Sequence, residues 1–558
     1  MLRIMGKSKI YFLLGFIALL ILGISFVENE ETSDRFEIGK NLDIFTEVYK
    51  EVNSRYVDGT QPGDLMKTGI DAMLESLDPY TVYYPESDIE SYKLMTTGQY
   101  GGIGARIRKI NDFVVIGEPY EGFPAYKAGL KAGDIILKVD GKDVKGKSTS
   151  DLSKILKGNP GTSLTVTIKR PGKKDIFDIS FKRDKVQIKS VPYSGMLTDE
   201  IGYIKMSSFT RNVTKDVKEA FLNLKKNKGF KSLVFDLRGN PGGLLFEAIN
   251  TVGLFTKRGI KVVETRGKIK EWTKVYETLN TPIDKNIPIV VLIDGGSASA
   301  SEIVSGSLQD FDRAVVLGRN SYGKGLVQTT RKLKYNTSMK VTTAKYYIPS
   351  GRCIQAIDYS RKDKNGKVSK TPDSLLTEFK TKNGRIVLDG AGIKPDIQVE
   401  REGYAPITKA LAANHMIFQF ATNYVLEHDT IVSAKDFRIT EEDYNRFLNF
   451  VDTTEYEYNT GSGKLLSKFE KKAEKDGVLN EINDELQKIK EKLQAQKKIK
   501  LQEYKAELKK LIEMEISTRY YYQKGRIQNR LSGDVDIDKA ISILVDQKQY
   551  QSILSGSN

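Results

Sequence analysis

The sequence predicts a multidomain protein with a central α/β core, a smaller β-rich segment before it and a charged helical region after it. Its 558 residues correspond to about three or four domains. Strand-like runs alternate with helices and glycine-bearing loops between residues 186 and 400. Short β-like runs separated by turn residues fill residues 98–185, and residues 401–558 have helical periodicity with many charges.

The N-terminus contains an apolar run with the dimensions of a membrane span. Residues 10–27 carry no charge, and a helix of that length rises about 27 Å, close to the thickness of a bilayer core. Arg3, Lys7 and Lys9 precede the run, and Glu28 follows it. Residues 1–30 are therefore predicted to be a signal-anchor or a signal peptide, with the body of the protein exported. Of the two, we favour the anchor.

Residues 35–97 are predicted to be an N-terminal helical segment. Apolar residues recur at helical spacing around Val48, and a second periodic stretch covers Ile70–Leu77. Asp78-Pro79 is expected to end that helix, because the residue before proline is pushed out of the α region.

The two middle segments differ in their predicted strands. Residues 98–185 open on a glycine-crowded loop and contain one helix candidate, Ser150–Leu156, with predicted strands at Phe113–Ile116, Ile135–Val139 and Leu164–Ile168. In residues 186–400 each predicted strand is followed by a glycine-bearing loop: Ser232–Leu237, Ile289–Ile293 and Ala314–Leu317. Pockets of α/β sheets form where such loops gather at the strand ends.

The helical region 401–558 contains a short heptad-like seam. Its apolar positions are spaced 3, 4, 3 and 4 residues apart: Leu479, Ile482, Leu486, Ile489 and Leu493. This spacing fits a short coiled coil, and it fits an antiparallel helical hairpin or small bundle equally well. The region is also the candidate surface for homo-oligomerisation.

The scarce residues exclude several classes of site. Cys353 is the single cysteine, which excludes an intrachain disulfide and a multi-cysteine zinc site. His415 and His428 are the two histidines, so a general base in a hydrolase would be another residue type. The net charge of +16 comes from 88 basic residues interspersed with 72 acids, which predicts a solvated mixed-charge surface and no nucleic-acid partner.

A serine cluster lies between the second predicted strand and a helix that starts near Ser301. A serine at such a turn is well placed as a nucleophile, because helix N-terminal amides stabilise an oxyanion. However, Ser299-x-x-Glu302 also fits a capping box and Ser301 fits a plain N-cap. The local pattern leaves open which of Ser297, Ser299 and Ser301 would act.

A lysine is the candidate base for such a serine. Lys324 lies between two glycines just after the third predicted strand. Lysine can act as a base where burial lowers its pKa. A Gly-Lys-Gly turn on the surface is the common alternative.

The order of several motifs resembles the carboxyl-terminal processing proteases, a family of serine peptidases with a PDZ domain. The resembling segments are Ser297-Ala-Ser-Ala-Ser-Glu302, Tyr322-Gly-Lys-Gly325 to Gln328, Asp236-Leu-Arg-Gly-Asn-Pro-Gly-Gly243, Tyr346-Tyr-Ile-Pro-Ser-Gly-Arg352, Gly392-Ile-Lys-Pro-Asp-Ile397 and Leu77-Asp-Pro-Tyr80. Along this chain, between about residues 40 and 400, these segments follow the same order as in the family.

The resemblance implies specific roles for residues of this chain. Ser299 would be the nucleophile, Lys324 the general base and Gln328 the residue that orients the lysine amine. The oxyanion hole would be formed by the Ala300 amide with an amide of Gly242 or Gly243. The implied core has a crotonase-like (ClpP-like) sheet with helices, and no metal or cofactor is expected.

The resemblance also implies that residues 98–185 are an inserted, β-sandwich-like PDZ domain. Such domains bind a peptide C-terminus as an added strand and hold its carboxylate on loop amides. The candidate loop is Gly101-Gly102-Ile103-Gly104, with Ser150–Leu156 as the other wall of the groove.

The resulting hypothesis is an exported serine endopeptidase that cleaves proteins near their C-terminal tails. Its partners would be protein or peptide substrates with free C-termini, and the membrane through residues 10–27. Its location would be the cell envelope or periplasm, anchored in the inner membrane. The alternative is a noncatalytic PDZ scaffold on a protease fold.

Overall fold

The computed structural model describes residues 34–86, 94–362, 368–400, 403–454 and 461–556. The chain forms two compact units, residues 1–83 and 84–558. The predicted membrane run 10–27 lies outside the described residues. Within the described ranges, no helix has the length and apolar character needed to cross a bilayer.

The described part of the N-terminal unit is mainly helical. A helix covers residues 34–55 and a second covers Pro62–Glu75. Asp78 then organises the following turn, because its Oδ1 accepts hydrogen bonds from the amides of Tyr80 and Thr81, both at 2.8 Å. A short strand, Val82–Tyr84, ends this stretch.

The predicted PDZ segment contains an antiparallel sheet and two helices. The sheet order is Ala105–Ile110, Phe113–Pro119, Ile135–Val139, Ser163–Lys169, Ile176–Lys182, with Lys142–Asp143 beside the third of these strands. The helix Thr149–Leu156 begins at Ser148, whose hydroxyl accepts the Asp151 amide at 3.1 Å. A short helix, Pro124–Lys127, lies between the second and third strands. Two strands, Gln99–Gly102 and Asp184–Gln187, pair where the chain enters and leaves the domain.

The α/β core is a six-stranded sheet with helices on both faces. Its order is Tyr193–Met196, Ile201–Lys205, Ser232–Asp236, Ile289–Ile293, Val315–Gly318, Ile397–Gln398, parallel except for the first strand. One face packs on three helices: Val213–Lys225, Leu245–Gly253 and Ala300–Asp310. The other face packs on the last two helices of the chain, Val535–Val545 and Gln547–Ser555. The sequence had placed these two helices in a separate region, because helical periodicity does not identify the surface that a helix covers.

Smaller β elements surround the edge of the core. A second sheet contains the antiparallel strands Lys261–Gly267, Lys274–Glu277, Leu326–Lys332 and Ser338–Tyr347. Two further hairpins pair Ile357–Lys362 with Val368–Lys370 and Glu378–Lys380 with Ile386–Leu388. Single 3₁₀ turns occur at Lys270–Trp272, Asp373–Leu375 and Leu479–Glu481.

The C-terminal region contains six helices before the last two, and all of them except Gly461–Lys475 contribute to one apolar cluster. They are Pro406–Ala413, Met416–Glu427, Glu441–Thr453, Gly461–Lys475, Asn483–Glu503 and Lys505–Leu531. The heptad-like seam is divided between a 3₁₀ turn and the helix Asn483–Glu503. An ion pair of 2.7 Å joins Lys490 to Glu470 on the preceding helix. Of the two alternatives, the antiparallel hairpin is therefore observed.

The C-terminal helices also contact the predicted PDZ segment. Glu118 at the end of a PDZ strand accepts a hydrogen bond from Arg526 at 3.0 Å. A Cβ added to Gly133 would lie 2.6 Å from the Thr422 side-chain methyl group, so the Gly133 backbone packs directly against that side chain. The long helix Lys505–Leu531 is interrupted at Tyr522, which has φ 52°, and the Tyr522 ring meets the Tyr126 ring of the PDZ domain edge-on.

Candidate active site

The turn from strand Ile289–Ile293 into helix Ala300–Asp310 presents Ser299. Ser299 has φ 56° and ψ −113°, a conformation that non-glycine residues rarely adopt. Ser297 and Ser301 are fully buried, and their hydroxyls donate to the carbonyls of Leu237 and Asn240 at 2.9 and 2.8 Å. Ser299 is half-buried and lines a cavity. Among the three serines, the structure therefore places only Ser299 at an accessible position.

That cavity, of about 620 Å³, brings the predicted catalytic residues together. Its lining includes Ser299, Lys324 and Gln328, and also the three candidate oxyanion residues: Gly242, Gly243 and Ala300. The histidines His415 and His428 belong to the C-terminal helical region and do not line it. All six residues predicted for chemistry thus line one cavity, although they come from three separate segments of the chain.

Two backbone amides at this cavity are available as donors. Ala300 is the first residue of its helix, and helices leave their first amides without an internal partner. Gly243 forms a parallel β-bridge with Phe209, in which the hydrogen bonds are made by the Gly242 carbonyl and the Leu244 amide. The amide of Gly243 itself therefore points away from Phe209. Within the described residues, the Ala300 and Gly243 amides donate to no acceptor. The Gly242 amide differs, because it donates to Asn240 Oδ1 at 2.9 Å.

Gly242 contributes through its lack of a side chain. Its φ is 98°, and an added Cβ would lie 2.6 Å from the Ala298 carbonyl oxygen and 2.9 Å from the Ser299 Cβ. The glycine-rich loop therefore approaches the Ser299 turn more closely than any other residue type would allow.

Hydrogen bonds to the side chains of Tyr346 and Gln355 fix the Lys324 loop. The Tyr346 hydroxyl donates to the Lys324 carbonyl, and the Gly325 amide donates to Gln355 Oε1 at 2.7 Å. Lys324 itself is half-buried. The Gln328 side-chain amide donates to the Thr342 hydroxyl at 3.2 Å, which restrains the glutamine beside the cavity.

Glu302 connects the serine turn to the lysine loop, a role that the sequence analysis missed. Its Oε2 accepts the amides of Ser299 and Lys324 at 2.7 and 2.9 Å. Its Oε1 accepts the Ser321 hydroxyl and the Gly323 amide at 2.5 and 2.7 Å. Burial raises the pKa of Glu302 above its usual range, and these four hydrogen bonds offset part of the rise. The capping-box spacing was a signal for the first contact, but no local pattern indicates the other loop.

The PDZ loop predicted to hold a carboxylate is more constrained than expected. Gly101 and Gly102 belong to the strand paired with Asp184–Gln187, and the Gly101 carbonyl accepts the Gly158 amide at 3.1 Å. Ile103 is buried in the PDZ core, and Gly104 has φ 71°. The neighbouring strand Ala105–Ile110 pairs on one side with Phe113–Pro119. No described strand pairs with its other edge.

Three protein-family models match this chain. Peptidase family S41 matches residues 200–360, a PDZ domain matches residues 115–170, and "Probable PDZ-protease, C-terminal helical domain" matches residues 407–544. The carboxy-terminal-processing protease of Bartonella bacilliformis is 35% identical over 359 residues, 63% of this chain and 81% of that protein. A "Probable CtpA-like serine protease" of Staphylococcus aureus is 37% identical over 317 residues, covering 56% of this chain and 62% of the relative.

Among solved structures, the photosystem II D1 C-terminal processing protease is 28% identical and covers 64% of this chain and 92% of its own, with a TM-score of 0.35. The PDZ domain of a Vibrio cholerae carboxy-terminal protease, solved with a peptide, is also 28% identical. It covers 16% of this chain and 99% of its own, with a TM-score of 0.16. The extent of the Bartonella match identifies the family: this chain belongs to the carboxy-terminal-processing proteases, serine-type peptidases of family S41 that carry a PDZ domain.

Proposed function

We propose that this protein is an exported endopeptidase that cleaves proteins near their C-terminal tails with a Ser299–Lys324 dyad. The observation that carries the proposal is the single cavity lined by Ser299, Lys324, Gln328 and the amide donors of Gly243 and Ala300. The unusual backbone of Ser299 supports the role of nucleophile, since strained residues concentrate at reacting groups.

In the proposed reaction, neutral Lys324 takes the Ser299 hydroxyl proton as Oγ attacks the scissile carbonyl. The oxyanion of the tetrahedral intermediate is stabilised by the amides of Ala300 and Gly243. Gly243 is preferred over Gly242 because the Gly242 amide already donates to Asn240. The protonated lysine then gives its proton to the leaving amine. Water, activated by the same lysine, hydrolyses the acyl-enzyme.

Substrate tails would bind the PDZ domain beside the unpaired edge of strand Ala105–Ile110, with helix Thr149–Leu156 as the other wall. A peptide with a free C-terminus is then cleaved with higher kcat/KM than the same peptide with an amidated C-terminus. Equal values for the two peptides would remove tail recognition from the proposal while leaving the dyad in place.

The dyad is tested by purifying Ser299→Ala and Lys324→Ala with the wild type. Each variant is expected to remain folded by circular dichroism and to lose proteolysis. Lys334→Ala, at an exposed hairpin position, is the matched control and retains full activity. A serine-reactive probe should label the wild type but not Ser299→Ala. Full activity of either dyad variant would refute the assignment.

Export and anchoring are proposed from residues 1–30. Deletion of these residues should move the protein from the membrane fraction to the soluble fraction of the cells that express it. Retention in the membrane fraction would place the attachment elsewhere in the chain.

A further inference from the structure

Two loops that carry the cavity residues share one ionic anchor outside the cavity. Arg238 lies on the loop that leads to Gly242 and Gly243, and Arg319 lies five residues before Lys324. Both guanidinium groups meet Asp536, near the end of the chain. Asp536 Oδ2 accepts Arg238 Nη1 and Arg319 Nη2, each at 2.7 Å, and Asp536 Oδ1 accepts Arg319 Nη1 at 3.0 Å.

The carboxylate of the anchor and Arg238 are buried, whereas the Arg319 side chain is 28% exposed. The Asp536 and Arg238 side chains are 0% and 3% exposed. Arg238 Nη1 also bonds to Asp534 at 2.8 Å, while its Nη2 bonds to Asp236 at 2.7 Å. Lys205 supplies a further cation 3.1 Å from Asp236. Separating the partners of a buried ion pair leaves an uncompensated buried charge, which is strongly destabilising. The ion pairs of the anchor therefore restrain the positions of the residues that form them.

The loop that begins at Arg238 transmits its position to the Ser299 turn. The next amide, that of Gly239, donates to Asp294 Oδ1 at 2.7 Å. The Asn240 carbonyl accepts the Ala298 amide at 3.0 Å and the Ser301 hydroxyl at 2.8 Å. A displacement of Arg238 would therefore move both the oxyanion loop and the residues on either side of Ser299.

The position of Asp536 is set by the last helices of the chain. Asp534 Oδ1 accepts the Asp536 amide at 3.1 Å and thereby caps helix Val535–Val545. That helix packs Ile537, Ala540 and Ile543 on the face of the core sheet. The anchor is thus built by a tail segment almost 300 residues beyond Arg238.

We propose that Asp536 is a positioning residue of the active site, which sets the oxyanion loop through Arg238 and the lysine loop through Arg319. The inference rests on the proposed Ser299–Lys324 mechanism. Asp536 contacts no reacting atom, so its removal is expected to lower kcat while KM is retained, since the PDZ groove proposed to bind substrate tails is not part of the anchor.

The test uses the full chain with Asp536→Asn, and with Asp538→Asn as the matched control on the exposed face of the same helix. Asp536→Asn is expected to lower kcat about 10- to 100-fold, the usual result of a small misplacement of catalytic groups. Its KM for a peptide substrate should stay within about twofold of the wild type, and its rate of labelling by a serine-reactive probe should fall in parallel with kcat. Asp538→Asn should match the wild type in all three.

A second variant covers the case in which Asp536→Asn does not fold. Arg319→Lys keeps the charge but loses the bidentate contact with Asp536, and it is expected to lower kcat at unchanged KM. Wild-type kcat in a folded Asp536→Asn variant, or in Arg319→Lys, would overturn the inference. Activity in Ser299→Ala would instead refute the proposed function, so the two failures are distinguishable.

Discussion

The Lys324 amide donates to Glu302 Oε2 at a distance of 2.9 Å. The same oxygen accepts the Ser299 amide at 2.7 Å, so one buried carboxylate sets the separation of the proposed nucleophile and base. Because Lys324 is 25 residues beyond Ser299, this distance is fixed by tertiary contacts and by no local helix or strand geometry.

Replacement of Glu302 by glutamine should therefore impair activity without removing either member of the dyad. The new amide group places a donor against amides and a hydroxyl that are donors themselves, and each unsatisfied buried group costs about 1–3 kcal/mol. We expect a lower melting temperature and a kcat/KM about 10- to 100-fold below wild type. Glu277→Gln, at an exposed strand position, is the control. Wild-type kcat/KM in Glu302→Gln would show that the two loops hold their spacing without this carboxylate.

Two glycines of one loop allow the close approach to Ser299 to be tested. Gly239 and Gly242 both have positive φ, so alanine at either position costs about 1–2 kcal/mol from the backbone alone. Only at Gly242 would the added Cβ collide with the Ser299 turn, whereas at Gly239 it meets no atom within 4 Å. Gly242→Ala should lose about 100-fold or more in kcat, because the collision displaces the neighbouring Gly243 amide from the oxyanion. Gly239→Ala should retain most activity, and equal losses in the two variants would contradict the steric account.

The last helices are expected to be part of the core rather than an appendage. Ile543 is fully buried against the sheet, while Val545 on the same helix is 71% exposed. Ile543→Ala should lower the free energy of unfolding by about 2–5 kcal/mol, because it leaves a cavity in a packed interior. Val545→Ala should change it by less than about 0.5 kcal/mol. Urea unfolding of both variants makes the comparison, and equal effects would mean that the tail helix is not packed on the sheet.

The ionic anchor predicts a particular dependence of stability on pH. Burial alone would raise the pKa of Asp536, but Arg319 and Arg238 outweigh it and hold the pKa below its usual range. An unfolded aspartate titrates near pH 3.9, so the stabilisation is complete above about pH 5 and is lost as the pH falls towards the folded-state pKa. The gap in free energy of unfolding between wild type and Asp536→Asn should therefore be constant from about pH 5 to 7 and shrink below about pH 4. A gap that widens on acidification would contradict the prediction.

Local sequence patterns predicted much of the fold. The core strands Ser232–Asp236, Ile289–Ile293 and Val315–Gly318 were expected within two residues of their bounds, because buried parallel strands appear as short apolar runs. The helix after Ser299 was expected from its spacing and capping signals. The seam at residues 479–493 was ambiguous, since a short heptad pattern fits a hairpin and a coiled coil equally.

The sequence alone determined the types of groups available for chemistry: it contains one cysteine and two histidines, and its serine and lysine lie in glycine-bearing loops that resemble those of the processing proteases. Only the tertiary structure decided which serine is accessible, which glycine amide is available, and that Glu302 and Asp536 join the loops. The physical reason is that composition and periodicity are local properties. The geometry of the site depends on hydrogen bonds and ion pairs between residues up to 298 positions apart, whose partners no local pattern specifies.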